Sequence, residues 1–316
     1  MRFLKKYIRF NTLQSKISIY FIIFLIIPFS ILSFIISKPI EKILEERISD
    51  SIQNSLNIKA VTLESIFREM MRSVTIIALD RNVADILSYP EKYNSYERGR
   101  TIINLMDTDS LYLNKIEKHI TVTDFNNNIY TSWRQYRNNE YELLNSMDWY
   151  NKVLDTKGEF VWIFHDIDYI TKSGDNLLTI AALVDRYGKA YGAAMVSIYE
   201  DDIYKIISLA NEDDNSETAI INEKAGIVSC TDSEITGVNL RKQDFYQRVL
   251  ESNEGFFVDY VNNKKTIVNY ARVAKTDWKL IMFTPYDSIF KQIGDKRKTN
   301  ALFIALMLII FTTIAV

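Results

Sequence analysis

The sequence contains few of the residues from which many active sites are built. Its 316 residues include one cysteine, two histidines and nine glycines. The lone Cys230 excludes an intramolecular disulfide, and adding His119 and His165 still leaves too few ligands for a zinc or haem site. No two glycines are spaced as Gly-x-Gly, so the phosphate loops of dinucleotide-binding folds, protein kinases and P-loop proteins are absent. We therefore expect no cofactor, no metal and no nucleotide site.

The charges are balanced in total but not along the chain. Lysine and arginine number 38 against 40 aspartates and glutamates, which leaves no basic excess to bind a nucleic-acid backbone. Residues 1–37 hold five of the bases and no acid, so the remainder carries 33 bases and all 40 acids. Hydrophobic residues make up 47%, enough for a sizeable core. The composition indicates a folded protein with a basic N-terminal segment and a mildly acidic body.

The first of two uncharged apolar segments predicts a membrane-spanning helix. Residues 17–36 are all uncharged, and 20 residues cross a ~30 Å hydrocarbon core at ~1.5 Å per residue. We assign the helix to 17–37, after a basic cytoplasmic N-terminus at 1–16 whose cations orient the chain. A cleaved signal peptide is the alternative, but the apolar run exceeds an h-region of ~7–15 residues and no small-x-small site follows. We expect the protein in the cell membrane, with residues 38–298 extracytoplasmic.

The second apolar segment lies at the end of the sequence. We assign a second transmembrane helix to residues 299–316, of which 301–316 are continuously apolar. Sixteen residues are slightly fewer than the ~17–25 expected of a span. Either the helix is tilted in a thin membrane, or the sequence is the front part of a longer protein. A buried core helix is a third interpretation.

Between these segments, residues 38–80 predict one long extracytoplasmic helix. From Pro39 to Tyr89 there is no glycine and no further proline. Apolar residues recur at intervals of three, four or seven, which is typical of a stripe that packs on a domain or a partner helix. They are Ile48, Ile52, Leu56, Leu63, Ile66, Met70, Val74 and Ile77. Because the helix continues the first span, it is suited to carrying a piston or rotation signal.

The remainder of the exported region contains an internal repeat. The motif D-[WF]-Y-x-[KR]-V-L occurs at 148–154 and again at 244–250. Each copy follows a hairpin signal and precedes a glycine, an aromatic strand and a pair of strands. We predict two modules, at 81–210 and 211–295, each an antiparallel sheet with helices on one side. The acidic run at 212–214 is interpreted as their exposed link.

This order of elements resembles the double Cache (dCache) sensor region of bacterial receptors. The stretches FNTLQSKISIYFIIFLIIPFSILSFII and TDWKLIMFTPYDSIF resemble the ectodomain ends of YesM-type sensor histidine kinases. The resemblance implies an α+β fold: a transmembrane helix, a long signalling helix, two tandem PAS-like Cache modules and the start of a second transmembrane helix. It further implies a homodimer that senses a ligand outside the cell. Those kinases continue into a HAMP linker, a phosphoacceptor histidine and an ATP-binding domain, so contact with a response regulator would need that missing part.

The resemblance also implies that the ligand binds in the membrane-distal module, which has many aromatic residues. Aromatic faces stack on sugar rings or cations, and carboxylates hold hydroxyls or amines. The candidate ligand-binding residues are Tyr130, Trp133, Arg134, Trp149, Tyr150, Trp162, Phe164, Asp166, Asp168 and Asp185. For Trp149 and its repeat counterpart Phe245, a place in the core is the alternative. Asp166 and Asp168 also allow a calcium site, but a solvated acidic loop is the simpler interpretation.

Two departures from the family pattern bear on the ligand. Amino-acid-sensing double Cache modules resemble one another in an Arg-x-Trp-Tyr motif and a later aspartate, which hold the carboxylate and the amine of the ligand. Here Met147 stands at the arginine position, and Ser197 falls near the aspartate position. Neither side chain can make the charge-assisted contact. We therefore expect a neutral or sugar-like ligand, or a solute-binding protein as the partner.

Other functions remain open at this point. The same ectodomain occurs in chemoreceptors and diguanylate cyclases, and a stand-alone membrane-anchored binding protein is a further alternative. An exported hydrolase would have to use Asp166, Asp168 or Asp185 as paired carboxylates, and no nucleophile motif accompanies them. We expect that the chain itself is not an enzyme.

Overall fold

A computed structural model gives the structure of the protein. It describes residues 27–108, 112–113, 116–125, 128–132, 148–156, 159–165, 175–209, 216–223, 226–231, 245–274 and 276–290, together with residues 20, 24, 298, 299, 302 and 306. Side chains are described from residue 42 onward in the long helix.

One long helix organises the fold. Helix α1 (Ile27–Ala78) is 52 residues long, which confirms the long N-terminal helix predicted from the absence of glycine and from the apolar stripe. Leu56, Leu63, Met70 and Val74 of that stripe have no exposed surface. They belong to a core cluster with residues of both sheets described below. The stripe therefore packs on the chain's own domain.

Three short helical elements follow α1 and cover the first sheet. Helix α2 (Arg81–Ser88) begins at Asp80, whose carboxylate accepts hydrogen bonds from two backbone amides of the first turn. A 3-10 turn (Pro90–Lys92) leads to helix α3 (Ser95–Thr108). Before α3, the backbone N–H of Glu97 donates to Asn94 Oδ1 at 2.8 Å, and the backbone N–H of Asn94 donates to the Glu97 carboxylate at 3.1 Å. This reciprocal capping fixes where the helix starts.

The first sheet has five antiparallel strands, and helix α4 (Asp148–Asp155) lies between its second and third strands in the sequence. A two-stranded pair, β1 (Tyr112–Leu113) and β2 (Ile116–Glu117), precedes it. Its strands are β3 (His119–Asp124), β4 (Ile129–Thr131), β5 (Val161–His165), β6 (Leu177–Arg186) and β7 (Lys189–Tyr199). They lie in the order β4-β3-β7-β6-β5, and helix α5 (Glu200–Ser208) follows directly.

The second sheet repeats this arrangement around helix α6 (Phe245–Glu251). Its strands are β8 (Glu217–Ile221), β9 (Ile227–Cys230), β10 (Glu254–Val261), β11 (Lys264–Arg272) and β12 (Lys279–Pro285). The order β9-β8-β12-β11-β10 matches that of the first sheet strand for strand. The predicted pair of hairpin–helix–three-strand units is thus confirmed as two antiparallel five-stranded sheets.

The helices lie on both sides of each sheet, which corrects the prediction of helices on one side. Helix α1 contacts β6 and β7 of the first sheet and β11 and β12 of the second. Helix α4 contacts β5, β6 and β7, and α6 contacts β10. Since β7 residues that alternate along the strand belong to different core clusters, α1 and α4 cover opposite faces. The repeated motif indicated one helix in each unit, but it does not indicate which face of the sheet that helix covers.

The predicted transmembrane helices are not confirmed. Among the residues that the structure describes, no helix has an apolar stretch of the length and hydropathy required to cross a membrane. Residues 17–19, 21–23, 25–26 and most of segment 299–316 lie outside the described residues.

Candidate ligand-binding face

The face of the first sheet that packs against α4 is here called the α4 face. On β7, Ala193 and Met195 point to this face, and their neighbours Ala194 and Val196 point to α1. The apolar part of the α4 face is a small cluster. It consists of Val153 from α4 with Ile163, Ala181, Ala193 and Met195 from the sheet. The sheet thus contributes aliphatic side chains to this part of the face, two of them alanines.

Hydroxyl groups surround this apolar patch on the same face. Thr179 of β6 and Ser197 of β7 are paired across the ladder, and their hydroxyl oxygens lie 2.8 Å apart. Thr121 of β3 pairs with Met195 on one side and with Thr131 of β4 on the other, and the two threonine hydroxyls lie 2.9 Å apart. Thr121, Thr179 and Ser197 are at most 1% exposed. Buried hydroxyls that bond in pairs keep hydrogen-bonding capacity without a charge.

His119 lies beside these hydroxyl groups on the α4 face. It pairs with Ser197 across the β3–β7 ladder and is buried. Its ring meets the Tyr199 ring edge-on, with 5.6 Å between the ring centres. The α4 face therefore combines imidazole, hydroxyl and small apolar groups, and none of these sheet residues is an acid, a lysine or an arginine.

The corresponding face of the second sheet is filled by large side chains. Phe245 of α6 lies 6.0 Å from Phe257 and 6.1 Å from Phe283, between ring centres, and Phe257 lies 6.0 Å from Tyr270. Val249, Ile281 and other aliphatic residues belong to the same cluster. Ring pairs at these separations stabilise a packed core. This face is packed with aromatic rings, whereas the α4 face combines aliphatic and hydroxyl-bearing residues.

Three of the predicted ligand-binding residues lie on the opposite side of the first sheet. Trp162, Phe164 and Tyr130 are partly buried and pack against the core cluster that contains the α1 stripe. Burial raises the pKa of the Tyr130 hydroxyl, and the nearby Arg98 opposes that rise. Strand alternation turns these three aromatic residues toward α1. They therefore do not lie on the face that α4 covers.

The remaining predicted residues are distributed differently. Asp185 is exposed, at a register shift next to the β6–β7 turn. Trp149 and Tyr150 lie in the first turn of α4, which is the helix that covers the α4 face. Trp133, Arg134, Asp166 and Asp168 lie outside the described residues, and so does Met147. Their roles in ligand binding stay predictions, as does the interpretation of Asp166 and Asp168 as a solvated acidic loop.

The buried hydroxyls of Thr121, Thr179 and Ser197 were not among the residues predicted from the sequence. The signal lies in HITVTD, where His119, Thr121 and Thr123 alternate with Ile120 and Val122. This pattern predicts a strand with one apolar and one polar face. It does not show that Thr179 and Ser197 share that polar face, because that depends on strand order. Cys230 of β9 is partly buried.

The fold is similar to those of solved chemoreceptor domains. The sensory domain of the Campylobacter jejuni chemoreceptor Tlp3 with isoleucine bound matches with a TM-score of 0.55 at 15% identity, over 79% of this chain and 97% of that one. The ligand-binding domain of the Pseudomonas fluorescens chemoreceptor CtaA in complex with L-isoleucine matches with a TM-score of 0.55 at 13% identity, over 79% and 98%. No protein-family model and no curated protein matches the sequence. The chain therefore has the double Cache fold of chemoreceptor ligand-binding domains.

Proposed function

We propose that the chain is the extracytoplasmic sensor region of a membrane receptor and binds its ligand on the α4 face of the first sheet. One observation carries the proposal. Two sheets of identical strand order present different faces to their repeat helices, one with aliphatic and hydroxyl-bearing residues and one packed with aromatic rings. Small-molecule sites combine an apolar lining with a few placed polar groups, and the α4 face has both kinds of group. The double Cache fold of ligand-binding domains agrees with this function.

The proposed ligand is a small neutral, sugar-like molecule. Ser197 stands where the family resemblance places an aspartate that holds an amine, and its hydroxyl is shared with Thr179 at 2.8 Å. A pair of hydroxyls cannot neutralise an ammonium group as a carboxylate does. It can donate to and accept from the hydroxyls of a sugar. A solute-binding protein that delivers such a ligand is the alternative partner.

The proposed output is that of a YesM-type sensor histidine kinase, acting as a homodimer in the cell membrane. The quoted N-terminal and C-terminal stretches support this type, and the kinase part with its response regulator lies outside these 316 residues. A chemoreceptor is the second candidate, since the similar solved structures are chemoreceptor domains. The gene sequence after codon 316 distinguishes the two. A HAMP linker with a phosphoacceptor histidine supports the kinase, and a methyl-accepting coiled coil contradicts it.

The ligand proposal is tested by thermal unfolding of the full chain in detergent. Neutral monosaccharides and disaccharides are added singly, with L-isoleucine as the comparison. A ligand that binds the folded state stabilises it by RT ln(1 + L/Kd), where L is the ligand concentration, so Tm rises with the logarithm of that concentration above Kd. We expect this rise with a sugar, and we expect the double variant T179V/S197A to lose it. Removing both hydroxyls together leaves no buried hydroxyl unpaired within the pair, so the variant should still fold.

The matched control removes a second buried hydroxyl pair from the same protein. Ser216 and Thr284 hydroxyl oxygens lie 3.1 Å apart in the second sheet. The variant S216A/T284V should keep the full sugar-dependent rise in Tm. A rise with isoleucine and with no sugar contradicts the proposed ligand class. Equal loss of the sugar response in both double variants contradicts the α4 face as the site.

A further inference from the structure

Strand β5 has one side on the α4 face and one side on the core around α1. Val161 and Ile163 belong with the cluster under α4. Trp162 and Phe164, which alternate with them, pack against the core cluster around α1. The strand lies at the edge of the first sheet and is hydrogen-bonded only to β6 among the described strands. A displacement of β5 at the α4 face therefore moves Trp162 as well.

Trp162 belongs to a three-ring cluster that joins parts of the chain far apart in sequence. Its ring centre lies 5.0 Å from that of Phe67 in α1 and 5.3 Å from that of Trp278, which precedes β12. Phe67 and Trp278 also meet each other, edge to face, at 5.3 Å. Phe67 is fully buried and Trp278 is 4% exposed. Close-packed aromatic rings of this kind leave little free volume to absorb a shift of one member.

Trp278 is held firmly on its own side. Its backbone N–H donates to Thr276 Oγ1 at 3.2 Å, and its carbonyl accepts from the N–H of Val273 at 3.0 Å. Arg272 links the same loop by donating to the Thr276 carbonyl and to the Asp277 carboxylate. These hydrogen bonds hold the backbone of Trp278 in place at the start of β12.

Phe67 and Trp278, the two ring partners of Trp162, lie on stretches of chain that run toward the two apolar segments of the sequence. Phe67 lies in α1, which runs back toward residue 27. Trp278 leads through β12 to residues 286–290. These two stretches meet again where the Tyr286 hydroxyl donates to the Glu45 carboxylate at 3.4 Å. One aromatic cluster therefore touches both stretches of chain that connect the sensor to its ends.

We propose that Phe67, Trp162 and Trp278 form the contact through which the α4 face sets the position of α1 relative to β12. This regulatory role rests on the proposed function of the α4 face. Occupation of that face repositions β5, and Trp162 passes the displacement to both partners at once. Interiors respond to such shifts by moving between discrete packings, because packed rings cannot deform continuously.

The test is a double-mutant cycle read by hydrogen exchange on the full chain, with no ligand added. I163A perturbs β5 from the α4 face only. We expect it to speed amide exchange in residues 279–285 and 63–70 by about threefold, the size of a typical coupling between contacting residues. In the W162F background the same I163A change should have no such effect at these amides. F164L, a conservative change on the same side of the same strand, is the matched control and should leave the effect of I163A intact.

Two outcomes overturn the proposal. One is an equal effect of I163A with and without W162F, which means that β5 does not act through Trp162. The other is no change in exchange at residues 279–285 in the wild-type background. Because the cycle contains no ligand, either result leaves the sugar-binding test unaffected, and failure of that test leaves this one interpretable.

Discussion

The two sheets have the same strand order and a repeat helix at the same place, yet they use the covered face in opposite ways. In the second sheet, four aromatic rings from α6, β10, β11 and β12 fill the face. In the first, the corresponding face carries an aliphatic cluster with Ile163 and Met195 beside paired threonine and serine hydroxyls, and no aromatic ring of the described residues belongs to that cluster. The same topology therefore accommodates either an aromatic core or a face with paired hydroxyls beneath its repeat helix.

The largest effect is expected from removing an aromatic ring from the second sheet. Phe245 is 1% exposed and contacts two other phenylalanine rings. F245A should lower the free energy of unfolding by about 3–5 kcal/mol, because it leaves a cavity in a packed core. Urea titration measures the change. F125A, which removes a phenylalanine ring that is 42% exposed, should cost far less. A loss for F245A no larger than that for F125A would mean that the second face is loosely packed and that the contrast between the sheets is wrong.

A smaller effect is expected where β7 approaches β3 inside the first sheet. A Cβ atom at Gly192 would lie 2.1 Å from the Thr123 carbonyl oxygen, so the strands must separate to accept it. G192A should cost about 1–3 kcal/mol of unfolding free energy, as overpacking does. Gly99 lies within α3 with nothing within 4 Å of its Cβ position. G99A should therefore stabilise the chain, by about 0.5–1 kcal/mol. The same sign for both changes would contradict the close approach of β7 to β3.

A third effect concerns the contact between α1 and α5 and depends on pH. Lys59 of α1 is 4% exposed and donates to the Ile207 carbonyl at the end of α5, at 2.7 Å. Burial lowers the pKa of Lys59 from 10.5 to about 8. Between these two values the unfolded chain binds more protons than the folded one, so stability should rise with pH from about 8 to 10.5. Thermal unfolding across this range measures the rise.

The variant K59M isolates this contribution because it keeps the length of the side chain without the charge. It should flatten the pH dependence between pH 8 and 10.5, whereas K42M, at an exposed position of the same helix, should leave it unchanged. A wild-type stability that falls over this range would contradict the assignment of the rise to Lys59.

Much of the fold was predictable from local pattern. The absence of glycine and proline after Pro39 and the spacing of apolar residues indicated the long helix. The repeated D-[WF]-Y-x-[KR]-V-L motif indicated two copies of one unit, and the sheets confirm them. The site was less accessible. Aromatic residues were chosen because they are chemically suited to ligands, yet Trp162 and Phe164 face α1 and pack in the core.

The sequence by itself determined the elements, the repeat and the alternation that puts Trp162 and Ile163 on opposite sides of β5. These properties are local, because helix and strand periods act over a few residues. Only the tertiary structure decided which side meets α1 and which meets α4, and that Thr179, Ser197 and Thr121 share one face. Strand order and helix placement depend on contacts between distant parts of the chain, and no short-range pattern encodes those contacts.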